Sequence, residues 1–463
     1  MKRHRPIILF VLLLAALPLL GLRCKPQVTA QPVKLTYWRV FDDPDSMQEI
    51  ISAYRAIHPN VNIEYKKIRY EEYEKLFLEA LAEDRGPDIF SIHNTWIGKY
   101  QPKILPLPKT VTLPFQSIQG TFKKEVITEL KTMPTITPAT IRKNYLDVVA
   151  SDVIRKAKTE DNKIEEQVLG LPLSVDTLVL FYNKDILNAA GIATEPKDWT
   201  EFLRDVTKIT KFDEQGNIAV AGASLGTSNN IPRFNDILSI LMMQNGATMT
   251  DANGFATFHL VPPGSTDKTY RPGIEALRFY TDFASLNKEA YTWNASMPDA
   301  LEAFTTGKTG FFFGYAYHIP TIKSRAPQLR WAIVPLPQAD AERNRMNIAN
   351  YWVETVSKKT KHTDEAWDFI QFAASAARVE SYLNKTNKPT ALRALVEKQQ
   401  SIPELEAFAG QLLTAKSWYR GRDAGLMESA MADMVTGALA ATEPGKLEQA
   451  VNLAIQRINQ TIY

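Results

Sequence analysis

The chain has 463 residues, of which 45% are hydrophobic and 23% are charged, and its net charge is +3. This composition is that of a folded enzyme or binding protein, and the small net charge argues against a nucleic-acid-binding protein, which would carry a dense basic surface. The length predicts two or three domains. Because Cys24 is the single cysteine, no disulfide can form within the chain.

The first residues have the pattern of an export segment. Basic side chains precede a run without charge from Pro6 to Leu22, in the order found in secretory signals. We therefore expect a signal or anchor segment over 1–24 and a linker over 25–32. Three outcomes stay open: lipid attachment to Cys24, cleavage after Ala30, or retention of the run as an anchor. Its length of about 17 residues is marginal for a span, which usually needs ~20.

From residue 33 the pattern alternates between strand and helix. Alternating or β-rich runs predict the strands, and apolar stripes at helical spacing predict the helices. This order is typical of βαβ units and predicts an α/β fold with a mostly parallel sheet. The predicted elements are strands over 35–41, 61–65 and 88–92, and helices that end near 57 and 81.

Residues 102–138 are rich in proline and poor in periodicity. We interpret them as an extended surface excursion with one short helix near 122–130. A second α/β unit begins near Gly170, and the chain is almost entirely helical after 363. Its predicted elements are strands over 175–182 and 311–313, and helices near 184–190, 199–206, 234–242 and 300–306.

Sequence motifs of enzymes are weak in this chain. Gly222–Gly226 matches the G-x-S-x-G pattern, but loop residues follow it where a nucleophile elbow needs a helix. The turn 251–254 lacks the later ligands of a calcium loop. Six scattered histidines and one cysteine argue against a zinc site. A pair of catalytic carboxylates stays open, because acidic residues are numerous and no pair stands out.

Aromatic and polar side chains are predicted at the carboxyl ends of several strands, the edge where open α/β sheets bind ligands. Aromatic faces there can stack on the apolar C–H faces of sugar rings, and polar groups can bind the hydroxyls. Ordinary packing explains any one ring, but several together indicate a ligand site. They are Trp38, Phe41, Trp96, Tyr315 and Tyr317, with the polar His93, Asn94 and Asp176.

Four segments share motifs with one known family. They are Leu35–Trp38 with the helix up to Val61, the Gly-Pro-Asp segment Gly86–Trp96, Gly170–Phe202 with its Tyr-Asn-Lys-Asp motif, and Phe304–Tyr315. In these segments the chain resembles the extracellular solute-binding proteins of the maltose or multiple-sugar type, the ligand-binding subunits of ABC importers. The third segment is the most specific, and the resemblance spans most of residues 33–460.

The resemblance implies a two-lobed periplasmic-binding-protein fold. Each lobe would be a mostly parallel sheet flanked by helices, with the ligand cleft between the lobes. The first lobe would comprise 33–173 plus about 355–415, and the second 174–354 plus about 416–463. The crossing strands would lie near 174–178 and 351–356, and the lobes would close on the ligand by a hinge motion.

By position in the family's motifs, the resemblance also implies a set of ligand contacts. The set comes from strand ends in both lobes and from the hinge. It consists of Trp38, Phe41, Asp42, His93, Asn94, Trp96, Asp176, Asn235, Tyr315, Tyr317, Tyr351, Trp352 and Trp418.

The implied protein is a monomeric, non-enzymatic receptor without metal or cofactor. It would deliver a carbohydrate-like solute to ABC permease subunits from the cell surface or periplasm, attached to the membrane through a lipid on Cys24 or a retained helix. Two alternatives stay open: an exported polysaccharide hydrolase, which needs two cleft carboxylates, and a surface sensor or adhesin with the same fold. Two features depart from the family pattern. The long proline-rich segment leaves the edge of the first lobe open, and the pair His93–Asn94 leaves the ligand's identity open.

Overall fold

In a computed structural model, the structure describes residues 30–119, 125–158, 161–340 and 344–462. The predicted signal or anchor segment 1–24, including Cys24, lies outside these ranges, as does most of the linker. Within the described ranges, no helix combines the length and apolar character that a bilayer crossing requires.

Strands and helices alternate along both halves of the chain. The strands are β1 (Val33–Val40), β2 (Val61–Ile68), β3 (Ile89–His93), β4 (Thr110–Gln119), β5 (Glu125–Pro134), β6 (Ile154–Lys158), β7 (Ile164–Val168), β8 (Asp176–Thr177), β9 (Val179–Asn183), β10 (Lys211–Phe212), β11 (Ile218–Ala223), β12 (Thr309–Gly314), β13 (Trp331–Val334), β14 (Asn347–Asn350), β15 (Trp352–Val356) and β16 (Ala415–Lys416).

The helices are α1 (Asp45–Ile57), α2 (Tyr70–Ala82), α3 (Ile97–Tyr100), α4 (Pro138–Asn144), α5 (Asp147–Val153), α6 (Lys184–Ala189), α7 (Trp199–Ile209), α8 (Phe234–Gln244), α9 (Pro272–Asp282), α10 (Ala300–Thr305), α11 (His318–Arg325), α12 (Thr363–Ala373), α13 (Ala376–Thr386), α14 (Arg393–Gln400), α15 (Glu406–Gln411), α16 (Ala424–Leu439) and α17 (Lys446–Asn459). Short 3₁₀ turns follow β3, α3 and α15.

The first lobe is built on a sheet of order β15-β3-β1-β2. Strands β1, β2 and β3 are parallel, and β15 joins β3 in the antiparallel direction. The helix between β1 and β2 buries Met47, Ile50 and Tyr54, the stripe that its spacing predicts. The carboxyl ends of β1, β2 and β3 therefore meet at one edge, where β15 begins.

The second lobe is built on a sheet of order β10-β11-β12-β9-β13. The α/β order is as predicted, but the expectation of a mostly parallel sheet is wrong for this lobe. Only β11 and β12 pair in parallel, and β9 runs antiparallel to both of its neighbours. The reason is connectivity: β9 follows directly after β8 and leads away from the hinge, whereas β12 runs toward it.

A small sheet of order β16-β14-β8 joins the lobes. Along the chain, residues up to Val175 pack in the core of the first lobe, and residues from Leu178 onward pack in the core of the second lobe. The chain therefore first crosses between the lobes at β8. It returns at β14, between Ile348 of the second core and Ala349 of the first, and crosses again near β16. We call these three strands the hinge sheet.

Two core assignments differ from the predicted lobe boundaries. Residues 352–354 pair with β3 in the first sheet, although the predicted boundary near 355 put them in the second lobe. Leu405 and Phe408 pack in the second core, although the boundary put them in the first. Strand pairing and side-chain packing depend on contacts between distant segments, and the linear pattern does not contain that information.

The proline-rich excursion is a β-hairpin. β4 and β5 pair antiparallel along their whole length, so the predicted helix near 122–130 is wrong over residues 125–130. Pro114 lies within β4 opposite Leu130, a position that a two-stranded ribbon tolerates because both of its strands are edges. The ribbon is fixed to the first lobe through the Thr112 backbone N–H, which donates to Asp364 at 3.0 Å.

Candidate functional site

Four aromatic rings of the first lobe form a continuous surface where its parallel strands end. Phe41 follows β1, Tyr70 begins α2, Trp96 follows β3 and Trp352 begins β15. Phe41 stacks on Tyr70 with ring centroids 5.7 Å apart, and Tyr70 stacks on Trp96 at 6.2 Å. Trp352 meets all three edge-on at 5.5–6.2 Å. We call these four rings the aromatic platform.

The aromatic platform is open to solvent although its base is apolar. The side chains of Phe41 and Tyr70 are 55% and 46% exposed. Beneath the platform, Val40, Ile68 and Tyr73 form a small buried cluster, against which Trp38, Trp96 and Trp352 pack. Exposed rings that adjoin one another in this way are typical of a binding surface rather than of scattered surface residues.

Phe41 adopts a backbone conformation that is rare for its residue type. Its φ is +65°, and the Asp42 N–H donates to the Val40 carbonyl at 2.8 Å, which closes a tight turn around the ring. A bulky residue in this region costs about 1–3 kcal/mol. The surrounding structure maintains the strain, and the turn directs the ring outward into the cleft.

A buried ionic network holds that turn in place. Asp42 accepts a hydrogen bond from the Tyr382 hydroxyl at 2.8 Å, and it pairs with Arg39 at 3.2 Å and with Lys388. Burial alone would raise the pKa of Asp42, but Arg39 and Lys388 hold it below its ordinary value. Arg39 pairs in turn with Glu354 of β15 at 3.2 Å. The carboxylate of Asp42, predicted as a ligand contact, is thus already surrounded by protein partners.

The second lobe contributes two stacked tyrosines. Tyr315 and Tyr317 follow β12, and their ring centroids lie 5.7 Å apart. Tyr315 is fully buried, and its hydroxyl donates to Asp236 at 2.6 Å. The side chain of Tyr317 is 47% exposed. The buried ring therefore orients the exposed one.

A charged group stands beside these tyrosines at the start of α8. Arg233 has a φ of +67° and donates from Nε and Nη2 to the two carboxylate oxygens of Asp236 at 2.8 and 2.9 Å. Its Nη1 lies 3.5 Å from Glu428 on α16. Asn235 is buried and its amide donates toward Asp236 and Glu428. We call Arg233, Asp236 and Glu428 the Arg233 cluster.

The two lobes already influence each other electrostatically across the cleft. Burial, followed by the carboxylate of Glu428, raises the pKa of Tyr70 on the aromatic platform. Burial, followed by the positive charge of Arg233, lowers the pKa of His93 to about 4. Both affected groups belong to the first lobe and both charges belong to the second, so the aromatic platform and the Arg233 cluster face each other.

His93 and Asn350 meet at the bottom of the cleft. The two groups lie 3.3 Å apart, between His93 Nε2 and the amide oxygen of Asn350. That oxygen can only accept, so Nε2 carries the proton, and Nδ1 accepts from Thr95 at 2.7 Å. The low pKa keeps the imidazole neutral at physiological pH. His93 therefore links the first lobe to the hinge sheet.

Asp176 lies on the hinge sheet, in register with Asn350 of β14. Its Oδ2 accepts from the Ala316 N–H at 2.8 Å, and its Oδ1 accepts from the Thr177 N–H at 2.9 Å. Burial raises its pKa to about 7, despite these backbone donors and the positive charge of Lys388.

Four other predicted residues make no ring contact with the aromatic platform. Lys66 covers the ring of Trp38 at 4.7 Å, and Trp38 packs against the buried cluster beneath the platform. Asn94 and Tyr351 both donate to the buried Asp152, at 3.3 and 2.6 Å. Trp418 is buried, and its indole N–H donates to Ser239 at 3.0 Å. Asn94, Tyr351 and Trp418 thus each donate to a protein partner, although strand-end position or the family resemblance made them candidates.

Sequence reasoning missed several residues of the cleft. Tyr70 precedes the first residue of the stripe that indicated its helix, and Asn350 precedes a predicted crossing strand. Arg233, Asp236 and Glu428 meet only in three dimensions. The spacing of Arg233 and Asp236, one helical turn apart, was the one local signal. Among the described residues, no group of three or more histidine, cysteine or acidic side chains could hold a metal ion.

The sequence of the chain is similar to those of known solute-binding proteins. Residues 41–379 match the family described as bacterial extracellular solute-binding protein. The chain is 26% identical to the multiple sugar-binding protein of Streptococcus mutans over 243 residues, 52% of this chain and 55% of that protein. It is 24% identical to the diacetylchitobiose-binding protein of Streptomyces coelicolor over 76% of this chain and 72% of that protein. The match to the first of these spans about half of the relative's length.

Solved structures share the fold at low sequence identity. A cyclo/maltodextrin-binding protein complexed with maltotetraose superposes with a TM-score of 0.68 at 14% identity, covering 94% of this chain and 98% of that one. The sugar-binding protein MalE of Xanthomonas citri superposes with a TM-score of 0.66 at 17% identity, covering 93% and 97%. These likenesses confirm the predicted two-lobed α/β fold.

Proposed function

Because the chain belongs to the family of bacterial extracellular solute-binding proteins, we propose that it captures a carbohydrate-like solute between its lobes and delivers it to an ABC permease. The observation that carries this proposal is the pairing of unlike walls across one cleft. Exposed rings of the first lobe face an arginine and two carboxylates of the second.

Saccharides need both kinds of wall. Their C–H faces are apolar and stack on aromatic rings, whereas every hydroxyl that leaves water requires a hydrogen-bond partner. The aromatic platform offers the first, with Tyr317 on the opposite side. The Arg233 cluster offers donors and acceptors close together, and His93 and Asn350 add polar groups at the base.

The charges of the Arg233 cluster favour an uncharged ligand. Both carboxylate oxygens of Asp236 already accept from Arg233, and Glu428 lies within 3.5 Å of the same guanidinium. One positive and two negative side chains leave the cluster with no surplus positive charge for an anion. We therefore expect neutral sugars to bind better than sugar acids.

Capture would proceed by closure about the hinge sheet. A ligand favours the closed state only as far as it binds that state more tightly than the open one. Contacts to both walls at once supply that difference. In this proposal, residues 33–175 with most of 349–415 move as one body against the remainder.

We propose a binding role rather than hydrolysis. Asp236 accepts from Arg233 and from the Tyr315 hydroxyl, and this engagement opposes use of that carboxylate as a catalytic acid or base. The family and the structural relatives are substrate-binding proteins. Incubation of the protein with oligosaccharides followed by product analysis tests the point: release of shorter sugars would favour the hydrolase.

The family places the protein outside the cytoplasm. Beyond that, we propose a monomer held at the membrane by a lipid on Cys24 or by a retained N-terminal helix. Attachment would keep the receptor close to its permease and raise its effective concentration. Mass spectrometry of the mature N-terminus distinguishes the forms, because a free chain that begins at Gln31 would contradict both modes of anchoring.

The main experiment is a panel of mono- and oligosaccharides tested by thermal shift and calorimetry. We expect at least one neutral saccharide to stabilise the protein, since a ligand that binds only the folded state raises its melting temperature. If no carbohydrate or related polyol binds, the proposed function is wrong.

A further inference from the structure

The structure assigns to Asp176 a positioning role: it fastens the loop that carries Tyr315 and Tyr317 to the strand that connects the lobes. This inference rests on the proposed function, because it concerns how the ligand-facing loop is held. It differs from the expectation that Asp176 contacts the ligand directly.

The carboxylate of Asp176 reaches from the hinge sheet to the second lobe. Asp176 lies on the first crossing strand, while Ala316, whose N–H donates to Oδ2 at 2.8 Å, lies in the second lobe between the two tyrosines. The backbone N–H of the next residue, Tyr317, also lowers the pKa of this carboxylate. One side chain of the hinge sheet therefore holds one amide of the loop, and its charge is stabilised by the next amide.

The rest of the loop is restrained around the same point. The Tyr315 N–H donates to Nδ1 of His318 at 3.0 Å, and the Tyr315 hydroxyl donates to Asp236 at 2.6 Å. Tyr317, with its exposed ring, is fixed from one side by stacking on Tyr315. Without Asp176 the neighbouring Ala316 amide would lose its hydrogen-bond acceptor.

Asp176 is also connected to the first lobe through its strand partner. Asp176 pairs in register with Asn350, and Asn350 accepts from His93. The polar residues His93, Asn350 and Asp176 thus connect the first lobe, through the hinge sheet, to the ligand-facing loop of the second lobe. A change at Asp176 is therefore expected to alter ligand binding without any direct contact with the ligand.

The ionised carboxylate suits this role, because a carboxylate accepts hydrogen bonds with both oxygens whereas a protonated acid carries an O–H among donors. The titratable groups that face it are Lys388, from the segment after α13, and Tyr317. Burial raises the pKa of Asp176 to about 7 although the backbone N–H donors of the loop lower it. A loosened loop that loses these donors while the carboxylate stays buried would therefore bind a proton more readily than the competent loop. Affinity should accordingly fall as the pH decreases through about 7.

The test compares wild type with Asp176→Asn and Asp176→Ala. For a saccharide found with the panel, we expect wild-type affinity to fall about fivefold from about pH 8 to pH 6. Asp176→Asn keeps one acceptor, and its affinity should change less than about twofold over the same range. Asp213→Asn is the matched control, because Asp213 also accepts backbone N–H groups but lies in an exposed turn. It should keep the wild-type profile.

A second measurement needs no ligand. Amide hydrogen exchange at residues 316 and 317 should quicken at least about tenfold in Asp176→Ala, and less in Asp176→Asn. Equal pH profiles in wild type and Asp176→Asn, or unchanged exchange at these amides, would overturn the positioning role. If wild type binds no saccharide, the proposed function fails, and the exchange result still decides the role of Asp176.

Discussion

The first lobe lines the cleft with aromatic rings, whereas the second lobe opposes them with charges that are already paired. The rings of the aromatic platform pack on one another and on a small apolar cluster, and they contribute contact area with little directional demand. The Arg233 cluster is held by short, oriented hydrogen bonds. We therefore expect the two lobes to contribute differently to binding. The aromatic platform would determine how tightly a sugar ring binds, and the Arg233 cluster would determine which substituents on that ring are accepted.

The largest effect on affinity and stability should follow from removing the positive charge of the Arg233 cluster. Arg233→Met leaves Asp236 as a largely buried carboxylate without its main partner. We expect ligand affinity to fall about hundredfold, and the free energy of unfolding to fall by ~2–4 kcal/mol, because an unpaired buried charge is costly. Calorimetry and urea unfolding measure the two quantities.

The matched control for that variant is Arg457→Met, since Arg457 pairs with the exposed Asp433 on the outer surface. Exposed pairs are worth less than about 1 kcal/mol, so stability should hardly change and ligand affinity should stay the same. Equal losses in the two variants would mean that the Arg233 cluster has no special role.

The next effect tests the aromatic wall. Trp96→Ala removes the ring that stacks on Tyr70, and we expect affinity for the bound saccharide to fall at least about tenfold, or about 1.4 kcal/mol. Trp38→Ala is the comparison, because Lys66 covers the Trp38 ring, which packs against the buried cluster beneath the platform and not on the platform rings. Calorimetry should show a loss below about threefold. Similar losses in both variants would place the ligand elsewhere.

A smaller effect concerns ligand charge. If a neutral saccharide binds, its uronic-acid analogue should bind about fivefold more weakly, because its carboxylate would approach Glu428 without a free cation to meet it. Competition calorimetry compares the two ligands. Tighter binding of the acid would show that Arg233 is available to anions.

The smallest expected effect is that of Phe41→Gly, which distinguishes the backbone strain at Phe41 from the contribution of its ring to ligand affinity. Phe41→Gly removes an exposed ring and also relieves a φ of +65°. Glycine adopts this conformation freely, so we expect affinity to fall about threefold while the free energy of unfolding changes by less than about 1 kcal/mol. A large loss of stability would contradict the view that Phe41 is held in place for the ligand.

The sequence predicts much of the fold because its signals are local. The stripe of α1 and the strand over 88–92 follow from spacing alone. The hairpin of β4 and β5 did not, because prolines resemble loop residues until a partner strand is known. Likewise, β9 is antiparallel to β12 because of where the chain enters the second lobe, which no local pattern contains.

The candidate site is predicted less completely. Strand-end position found Phe41 and Trp96, and the family resemblance added Trp352; the structure brings these three together at one edge of the first sheet. Strand-end position also selected Asn94 and the resemblance selected Trp418, whose polar groups turn inward to Asp152 and Ser239. Position along a strand does not determine side-chain direction. The Arg233 cluster joins α8 to α16 across a long sequence separation, so it needed the structure.

The most direct test of the account is a crystal structure of the protein with a saccharide identified by the panel. We predict that the sugar ring lies against the aromatic platform, with hydroxyls within hydrogen-bond distance of Arg233 or Glu428 and the lobes closed about the hinge sheet. A saccharide bound outside this cleft, or one inside it that touches neither wall, would contradict the account.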